Sequence, residues 1–203
     1  LSISRVTARK ALEVLFAQGL IRRSQGSGTF ITPRLEQPLS RLSGFSEMLR
    51  LKGFAPSSQW LVREITPPTH EELIRLCLSP TDKVARLKRL RKADDTVMAI
   101  EMSALPASII PNPQAIGSSL YEYLEGIGKP VVRALQHIQA INASDEFAAL
   151  VGIAPSTAML LMTRVGYTAD NTPIEITDTY CRNDYYDFVA ELRRYDFAAE
   201  LRP

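Results

Sequence analysis

Apolar residues near the start of the chain recur at helical spacing and then give way to short extended runs. Ser4 precedes the helical pattern as a predicted N-cap, and Gly19 ends it. One face of this helix is a predicted buried stripe, made of Ala8, Ala11, Leu12, Leu15 and Phe16. Two strand-like runs, 20–25 and 29–31, flank a glycine turn at 26–28 and predict a β-hairpin.

Beyond residue 40, extended and helical patterns alternate along the chain. The predicted strands are 61–65, 83–91, 96–104, 131–141, 158–167 and 173–181. The predicted helices are 69–76, 118–124 and 144–151. Thr69 and Glu72 form a capping box at the start of the first of these helices. Pro33 and Pro38 stand among polar residues before this region and predict a linker at 33–39.

A helix followed by a hairpin occurs twice in the larger region. The first helix ends before Pro80, and the strand after it carries Arg89; the corresponding residues of the second copy are Pro155 and Arg164. Both pairs are nine residues apart. Repetition of one such unit predicts a single antiparallel sheet with pseudo-twofold symmetry.

Composition is that of an ordinary globular protein. The chain has 203 residues, of which 45% are hydrophobic and 23% charged, which is enough apolar material for a packed core. No run approaches the roughly 18 apolar residues of a membrane helix, and no secretory signal is visible. Cys77 and Cys181 stand far apart, so neither a disulfide nor a zinc site is predicted. We expect a cytoplasmic protein with no cofactor, no metal and no membrane partner.

Charge is unevenly distributed between the two parts of the chain. Residues 1–34 contain six cationic side chains against Glu13 alone, a net charge of +5. Because the whole chain carries +2, the remainder carries −3. A basic end on a mildly acidic body favours a module that binds a polyanion, although a solvated charged face would have the same composition.

The basic residues of the first helix lie where a recognition helix meets DNA. Arg5, Thr7 and Arg9 occupy its exposed amino-terminal turns. Arginine can bind guanine through two hydrogen bonds, and threonine can contact phosphate or a thymine methyl group. A helix followed directly by a small basic hairpin is typical of a winged helix.

The run SRVTARKALEVLFAQGLIRRSQGSGTFI closely resembles the second half of the GntR-type winged helix. That family shows Ser-Arg-x-Thr-x-Arg-x-Ala-Leu, then Gly-Leu-Ile, then Gln-Gly-x-Gly-Thr-Phe. The resemblance implies DNA contacts from Ser4, Arg5, Thr7, Arg9, Gln25 and Gly26. Leu1 falls inside the family's pattern, so we expect a fragment that binds DNA poorly without the residues before it.

The region from residue 40 resembles the UTRA effector domain, which follows a GntR winged helix in the HutC subfamily. The segments that carry the resemblance are LSGFSEMLRLKGFAP, RLKRLRKADDTVMAIEMSALP, SLYEYLE and TPIEITDTYCRNDYYDFVAELRR. The resemblance implies an α+β chain: a partial winged helix at 1–32, the linker at 33–39, and a chorismate lyase-like UTRA domain at 40–195 with an antiparallel sheet and flanking helices. Regulators of N-acetylglucosamine use are the most similar members.

Two arginines mark a candidate anion site in this domain. Arg89 and Arg91 are two apart on a predicted strand, so they share a face, and Glu101 should lie beside Arg89 across the hairpin. A bound phosphate would balance the two guanidinium groups; pairing with carboxylates on a wet sheet face would do so as well. Ser46 and Ser119 stand at helix starts, where a serine either contributes to an anion site or caps the helix.

The family resemblance implies a wider effector site. In the amino-sugar regulators the matching serines and arginines hold the sugar phosphate, the matching carboxylates meet sugar hydroxyls, and an aromatic forms the wall. The effector residues implied here are Phe45, Ser46, Arg89, Arg91, Glu101, Ser119, Tyr121 and Glu175. The chain departs from the family pattern at Cys181, where the family has tyrosine, and at Tyr185, where it has arginine, so an identical ligand is not implied.

These observations predict a homodimeric transcription regulator, in function a repressor. Its partners would be operator DNA and a small phosphorylated metabolite such as N-acetylglucosamine 6-phosphate or glucosamine 6-phosphate. The alternatives are the same kind of regulator with a carboxylate effector, such as urocanate or a fatty acid, and a lyase-like enzyme. The enzyme is disfavoured because no nucleophile–base set, metal cluster or acid–base pair stands out.

Overall fold

A computed structural model of the protein describes residues 4–17, 21–24, 28–31 and 35–192. Its first unit is the predicted helix and hairpin. Helix α1 spans Arg5–Ala17 and is followed by the antiparallel strands β1 (Ile21–Ser24) and β2 (Gly28–Ile31). Ser4 caps α1 as predicted, since its Oγ accepts a hydrogen bond from the backbone N–H of Thr7 at 3.1 Å.

The buried stripe predicted for α1 is wrong for Ala11 and Leu12, which are exposed. Amphipathic spacing fixes which face of a helix is apolar, but burial requires a partner surface. In the described part of the chain, the main packing partner of α1 is the short strand β1, which covers little of the helix. Arg5, Thr7 and Arg9 are exposed on this helix, whereas the predicted DNA contacts Gln25 and Gly26 lie outside the described residues.

A six-stranded antiparallel sheet forms the centre of the larger domain, in the order β4-β5-β6-β9-β8-β7. The strands are β4 (Pro56–Thr66), β5 (Val84–Ala93), β6 (Thr96–Pro106), β7 (Arg133–Asn142), β8 (Ala158–Tyr167) and β9 (Pro173–Arg182). All six predicted strands are present. The prediction missed the first residues of β4 because they are mostly polar, as an edge strand with one solvated side permits.

Helices cover both faces of this sheet, which gives the α+β fold predicted from the sequence. Helices α2 (Phe45–Leu51) and α4 (Leu120–Gly126), with a short 3₁₀ turn at Pro113–Ala115, cover one face. Helices α3 (His70–Arg75) and α5 (Asp145–Val151) cover the other. In the described part of the chain, no helix has the length and apolar character needed to cross a membrane.

The internal repeat is visible in the strand order. Strands β4-β5-β6 and β7-β8-β9 form two antiparallel meanders, which join where β6 pairs with β9 around Met102 and Asp178. Arg89 lies on the middle strand of the first meander and Arg164 on the middle strand of the second. Both side chains therefore reach the same face of the sheet from related positions.

The segment predicted as a linker contains a regular strand. Strand β3 (Leu35–Pro38) pairs in parallel with β10 (Tyr186–Val189), so residues near the two ends of the domain lie side by side. Leu35 and Gln37 are buried while the residues between and after them are exposed. Four residues are too few for this alternation to stand out in the sequence, and the partner strand is distant along the chain.

Candidate functional site

A small, partly open cavity lies between the sheet and its cover of α2, α4 and the β3–β10 pair. Its volume of about 40 Å³ is enough for a few water molecules. Seven of the predicted effector residues line it: Phe45, Arg89, Arg91, Glu101, Ser119, Tyr121 and Glu175. The eighth, Ser46, is buried beside it and bound to Arg91. The structure thus brings all eight predicted residues together.

Arg89 is buried and paired with Glu101 as the strand register predicts. The two residues are directly opposite in the β5–β6 ladder. The Arg89 Nε donates to Glu101 Oε1 at 2.7 Å, and a second guanidinium nitrogen forms an ion pair with the same oxygen. The guanidinium also stacks 4.8 Å from the ring centre of Trp60.

Arg91 is more deeply buried and less well compensated. Only 2% of its side chain is exposed, and its Nε lies 3.8 Å from Glu101 Oε2 with no hydrogen-bond partner among the described residues. Its other nitrogens donate to neutral oxygens: the hydroxyls of Ser46 and Ser58, each at 2.9 Å, and the Ser118 carbonyl at 3.2 Å. Burial lowers the pKa of Arg91 to about 10, against the opposing effect of Glu101.

The two serines at helix starts have different roles. Gly44, in extended conformation, is the N-cap of α2, and no side chain caps that helix. The capping alternative is therefore wrong for Ser46, which is the second residue of the helix and accepts a hydrogen bond from Arg91. Ser119 does cap α4, since its Oγ accepts from the Glu122 N–H at 3.3 Å, and it also lines the cavity.

A second polar chain crosses the opposite side of the cavity. Arg164 donates two hydrogen bonds to Gln136 Oε1, at 3.0 and 2.7 Å, and one to the Tyr121 hydroxyl at 3.1 Å. Tyr121 in turn donates to Glu175 Oε2 at 3.0 Å. Glu175 Oε1 accepts from the Thr177 hydroxyl. Charge at Arg164 is thereby linked to Glu175 through a buried phenol.

The site residues that sequence reasoning missed include Arg164. The repeat had placed it in a position related to Arg89, and that relation was the available signal for a shared cavity. The other missed residues that line the cavity include Gln37, Met162, Thr177, Thr179 and Tyr186. Cys181, where the family pattern has tyrosine, is buried in the neighbouring apolar cluster, and burial raises the pKa of its thiol.

The cavity contains more positive than negative charge. Arg89, Arg91 and Arg164 face two carboxylates, those of Glu101 and Glu175. Burial acts to raise the pKa of Glu101, but the adjacent Arg89 and Arg91 outweigh it and hold that pKa below its ordinary value. Burial raises the pKa of Glu175 despite the opposing charge of Arg164. An excess buried guanidinium group favours an anionic ligand.

Among the described residues, no cluster of His, Cys, Asp and Glu is arranged to hold a metal ion.

Known proteins similar to this chain are transcription regulators. The UTRA domain model matches residues 51–187. The chain is 32% identical over 189 residues to the HTH-type transcriptional regulator GgaR of Escherichia coli strain K12, covering 93% of this chain and 76% of that protein. It is 33% identical over 196 residues to the HTH-type transcriptional repressor NagR of Bacillus subtilis strain 168, covering 95% and 81%. The crystal structure of PhnF from Mycobacterium smegmatis has the same fold, with a TM-score of 0.75 and 24% identity over 95% of this chain and 87% of that one.

Replacing Glu101 tests the buried ion pair. Glu101→Gln should lower the free energy of unfolding at neutral pH by about 3–5 kcal/mol, because Arg89 and Arg91 would be left buried without their counter-charge. Because the pKa of Glu101 is lowered in the folded protein, its carboxylate stabilises the fold at pH values above the ordinary pKa of 4.5. That stabilisation is lost as the pH falls below 4.5 and the carboxylate is protonated. Urea denaturation at neutral and acidic pH should therefore show a difference that shrinks in acid. A difference independent of pH would contradict the ion-pair assignment.

Replacing Glu175 should have the opposite effect. Because its folded-state pKa is raised, ionisation of Glu175 costs stability as the pH rises above 4.5. Glu175→Gln should therefore be more stable than the unchanged protein at pH values above neutral, with the advantage disappearing below pH 4.5. The same denaturation series measures this. Glu125→Gln, an identical change at an exposed position of α4, is the control; an equal gain there would show that the gain at Glu175 is not due to burial.

Proposed function

Because the chain belongs to the UTRA-domain transcription regulators of the GntR family, we propose that it is a repressor whose operator binding is controlled by a phosphorylated small metabolite. The metabolite would bind in the cavity between the sheet and α2, α4 and β3. The enzyme alternative is excluded, since the relatives and structural neighbours are transcription regulators.

The observation that carries this proposal is the incomplete compensation of Arg91. Its guanidinium is buried against neutral hydroxyl and carbonyl oxygens, and its Nε has no hydrogen-bond partner among the described residues. A phosphate group offers several strong acceptors to such a guanidinium and brings the missing negative charge. The Ser46 hydroxyl, bound to Arg91 beside the cavity, would donate to the same phosphate.

The remaining polar groups suit the rest of a sugar phosphate. Glu101, Glu175 and Tyr121 line the cavity together with the hydroxyls of two threonines, and these groups can exchange hydrogen bonds with sugar hydroxyls. N-Acetylglucosamine 6-phosphate and glucosamine 6-phosphate combine both requirements, and the resemblance to regulators of N-acetylglucosamine use supports this choice. A carboxylate such as urocanate or a fatty acid is the second candidate, since one negative charge would balance one excess guanidinium.

Control of DNA binding would arise from the size of the cavity. At about 40 Å³ it is far smaller than a sugar phosphate needs, since ligand sites are commonly ~300 Å³ or more. Binding must therefore displace part of the cover. An effector that binds only the opened arrangement shifts the protein towards that arrangement, and this difference in affinity is what couples the effector to the operator.

The DNA-binding part of the proposal rests on α1 and its hairpin. The amino-terminal end of α1 carries the cap residue Ser4 and the exposed side chains of Arg5, Thr7 and Arg9. With Gln25 and Gly26 of the hairpin, they are the proposed operator contacts. A homodimer would present two such units to a palindromic operator.

Arg89→Ala tests the effector site. The variant should lose at least ~30-fold in affinity for N-acetylglucosamine 6-phosphate, because a buried charged hydrogen-bond partner is removed. Operator binding without effector should persist, since Arg89 lies on a strand of the effector domain and not in the helix or hairpin proposed to contact DNA. Isothermal titration with the metabolite and fluorescence anisotropy with labelled operator measure the two properties in full-length protein.

The control for this variant is Arg86→Ala, on the same strand but on the opposite face of the sheet, where Arg86 pairs with Glu72. It should bind the metabolite normally. If Arg89→Ala abolishes operator binding as well, Arg89 is structural. If the unchanged protein binds urocanate or a fatty acid and no sugar phosphate, the phosphate assignment fails.

Arg9→Ala tests the DNA contacts. Loss of a phosphate or base contact should weaken operator binding and, for a phosphate contact, reduce the slope of log affinity against log salt by about 1. Lys129→Ala removes the same charge from an exposed position of the effector domain and should change neither property. Equal losses in both variants would indicate a general charge effect in place of a specific contact.

A further inference from the structure

We propose that Gln37 binds the effector, so that the strand following the winged helix is itself a wall of the effector site and reports its occupancy to the DNA-binding unit. The proposal rests on the proposed function and identifies a contact that sequence reasoning did not assign. The ligand group it would recognise is a neutral hydroxyl or amide beside the anionic group.

The first observation is the state of the Gln37 side chain. It lies on β3, lines the cavity, and is only 4% exposed. The side-chain amide forms no hydrogen bond or ion pair with any residue that the structure describes. The amide carries two N–H donors and a carbonyl acceptor, and it is not among the fully buried polar groups that lack a partner, so it retains access to the cavity. An unpaired amide at a cavity wall is suited to a ligand that both donates and accepts.

The second observation is how β3 is held. The backbone N–H of Leu35 donates to the Tyr185 carbonyl at 2.6 Å, and that of Leu39 donates to the Val189 carbonyl at 2.8 Å. Leu35 is fully buried in the apolar cluster that also contains residues of α2 and the sheet. Gln37 is therefore fixed between two anchored neighbours, and its position follows that of the cavity cover.

The third observation is the short distance along the chain from β3 to the hairpin. Strand β2 ends at Ile31, six residues before Gln37. Six residues span at most ~20 Å even when fully extended. A displacement of β3 that makes room for a ligand must therefore change where the hairpin can lie. The cavity residues on β5, β6, β8 and β9 belong to the central sheet, and no comparably short segment of chain joins them to the hairpin.

Two substitutions of Gln37 separate ligand contact from folding. Gln37→Met retains the length of the side chain and removes the amide; it should lower affinity for N-acetylglucosamine 6-phosphate about fivefold, as expected for one lost hydrogen bond. Gln37→Phe places extra volume in the cavity, and should shift operator affinity without metabolite in the same direction as the metabolite does in the unchanged protein. Glu36→Met and Glu36→Phe are the matched controls, at an exposed neighbour on the same strand.

Titration calorimetry and operator anisotropy on full-length protein, with thermal unfolding to show that each variant folds, decide the matter. The proposal is supported if both Gln37 variants show these changes and both Glu36 variants do not. It is overturned if Gln37→Met binds the metabolite normally, or if Gln37→Phe, or Gln37→Leu should the Phe variant not fold, leaves operator affinity unchanged. Absence of metabolite binding to the unchanged protein would instead overturn the proposed function; the effector-free operator measurement would then still decide whether β3 is coupled to the DNA-binding unit.

Discussion

Burial of guanidinium groups against the central sheet is the constraint on which the rest of the domain depends. Arg89 and Arg91 are almost completely enclosed, and a buried cation is costly unless hydrogen bonds and counter-charge surround it. Glu101 supplies the counter-charge from the next strand, and serine hydroxyls and a carbonyl supply the hydrogen bonds. Helices α2 and α4 must begin where they do, because Ser46 lies in the first turn of α2 and the Ser118 carbonyl directly precedes the cap of α4.

The same constraint explains why the cavity is small and why charged groups line it. Apolar clusters on either side of it, around Leu49 and around Leu124, hold the cover in place. Between them the sheet presents charges whose compensation is incomplete, and the proposed anionic effector would complete it. In the proposed sensor, stability of the cover and affinity for the effector would therefore oppose each other at this cavity.

The sequence predicted those parts of the site that depend on local geometry. Arg89, Arg91 and Glu101 were placed together because strand periodicity and a short hairpin determine which residues face each other. Gln37 could not be found in this way, because a four-residue parallel pairing between distant segments leaves no local pattern. The sequence left two roles possible for Ser46, helix capping and a place in the anion site, because the choice depends on the backbone conformation of Gly44. The burial of Leu12 was wrong because the pattern of a helix does not show whether a partner covers it.

The parallel pairing of β3 with β10 has a mechanical consequence. A pull on the amino-terminal end of β3, directed away from β10, would break the hydrogen bonds between the two strands in sequence, beginning with that of Leu35 to the Tyr185 carbonyl. Leu35 is fully buried, so the first step also exposes its side chain to water, which costs about 1.5–3 kcal/mol. If β3 couples the two units as proposed, movements of the DNA-binding unit too weak to expose Leu35 would not reach the cavity, whereas those that expose it would free the rest of the strand.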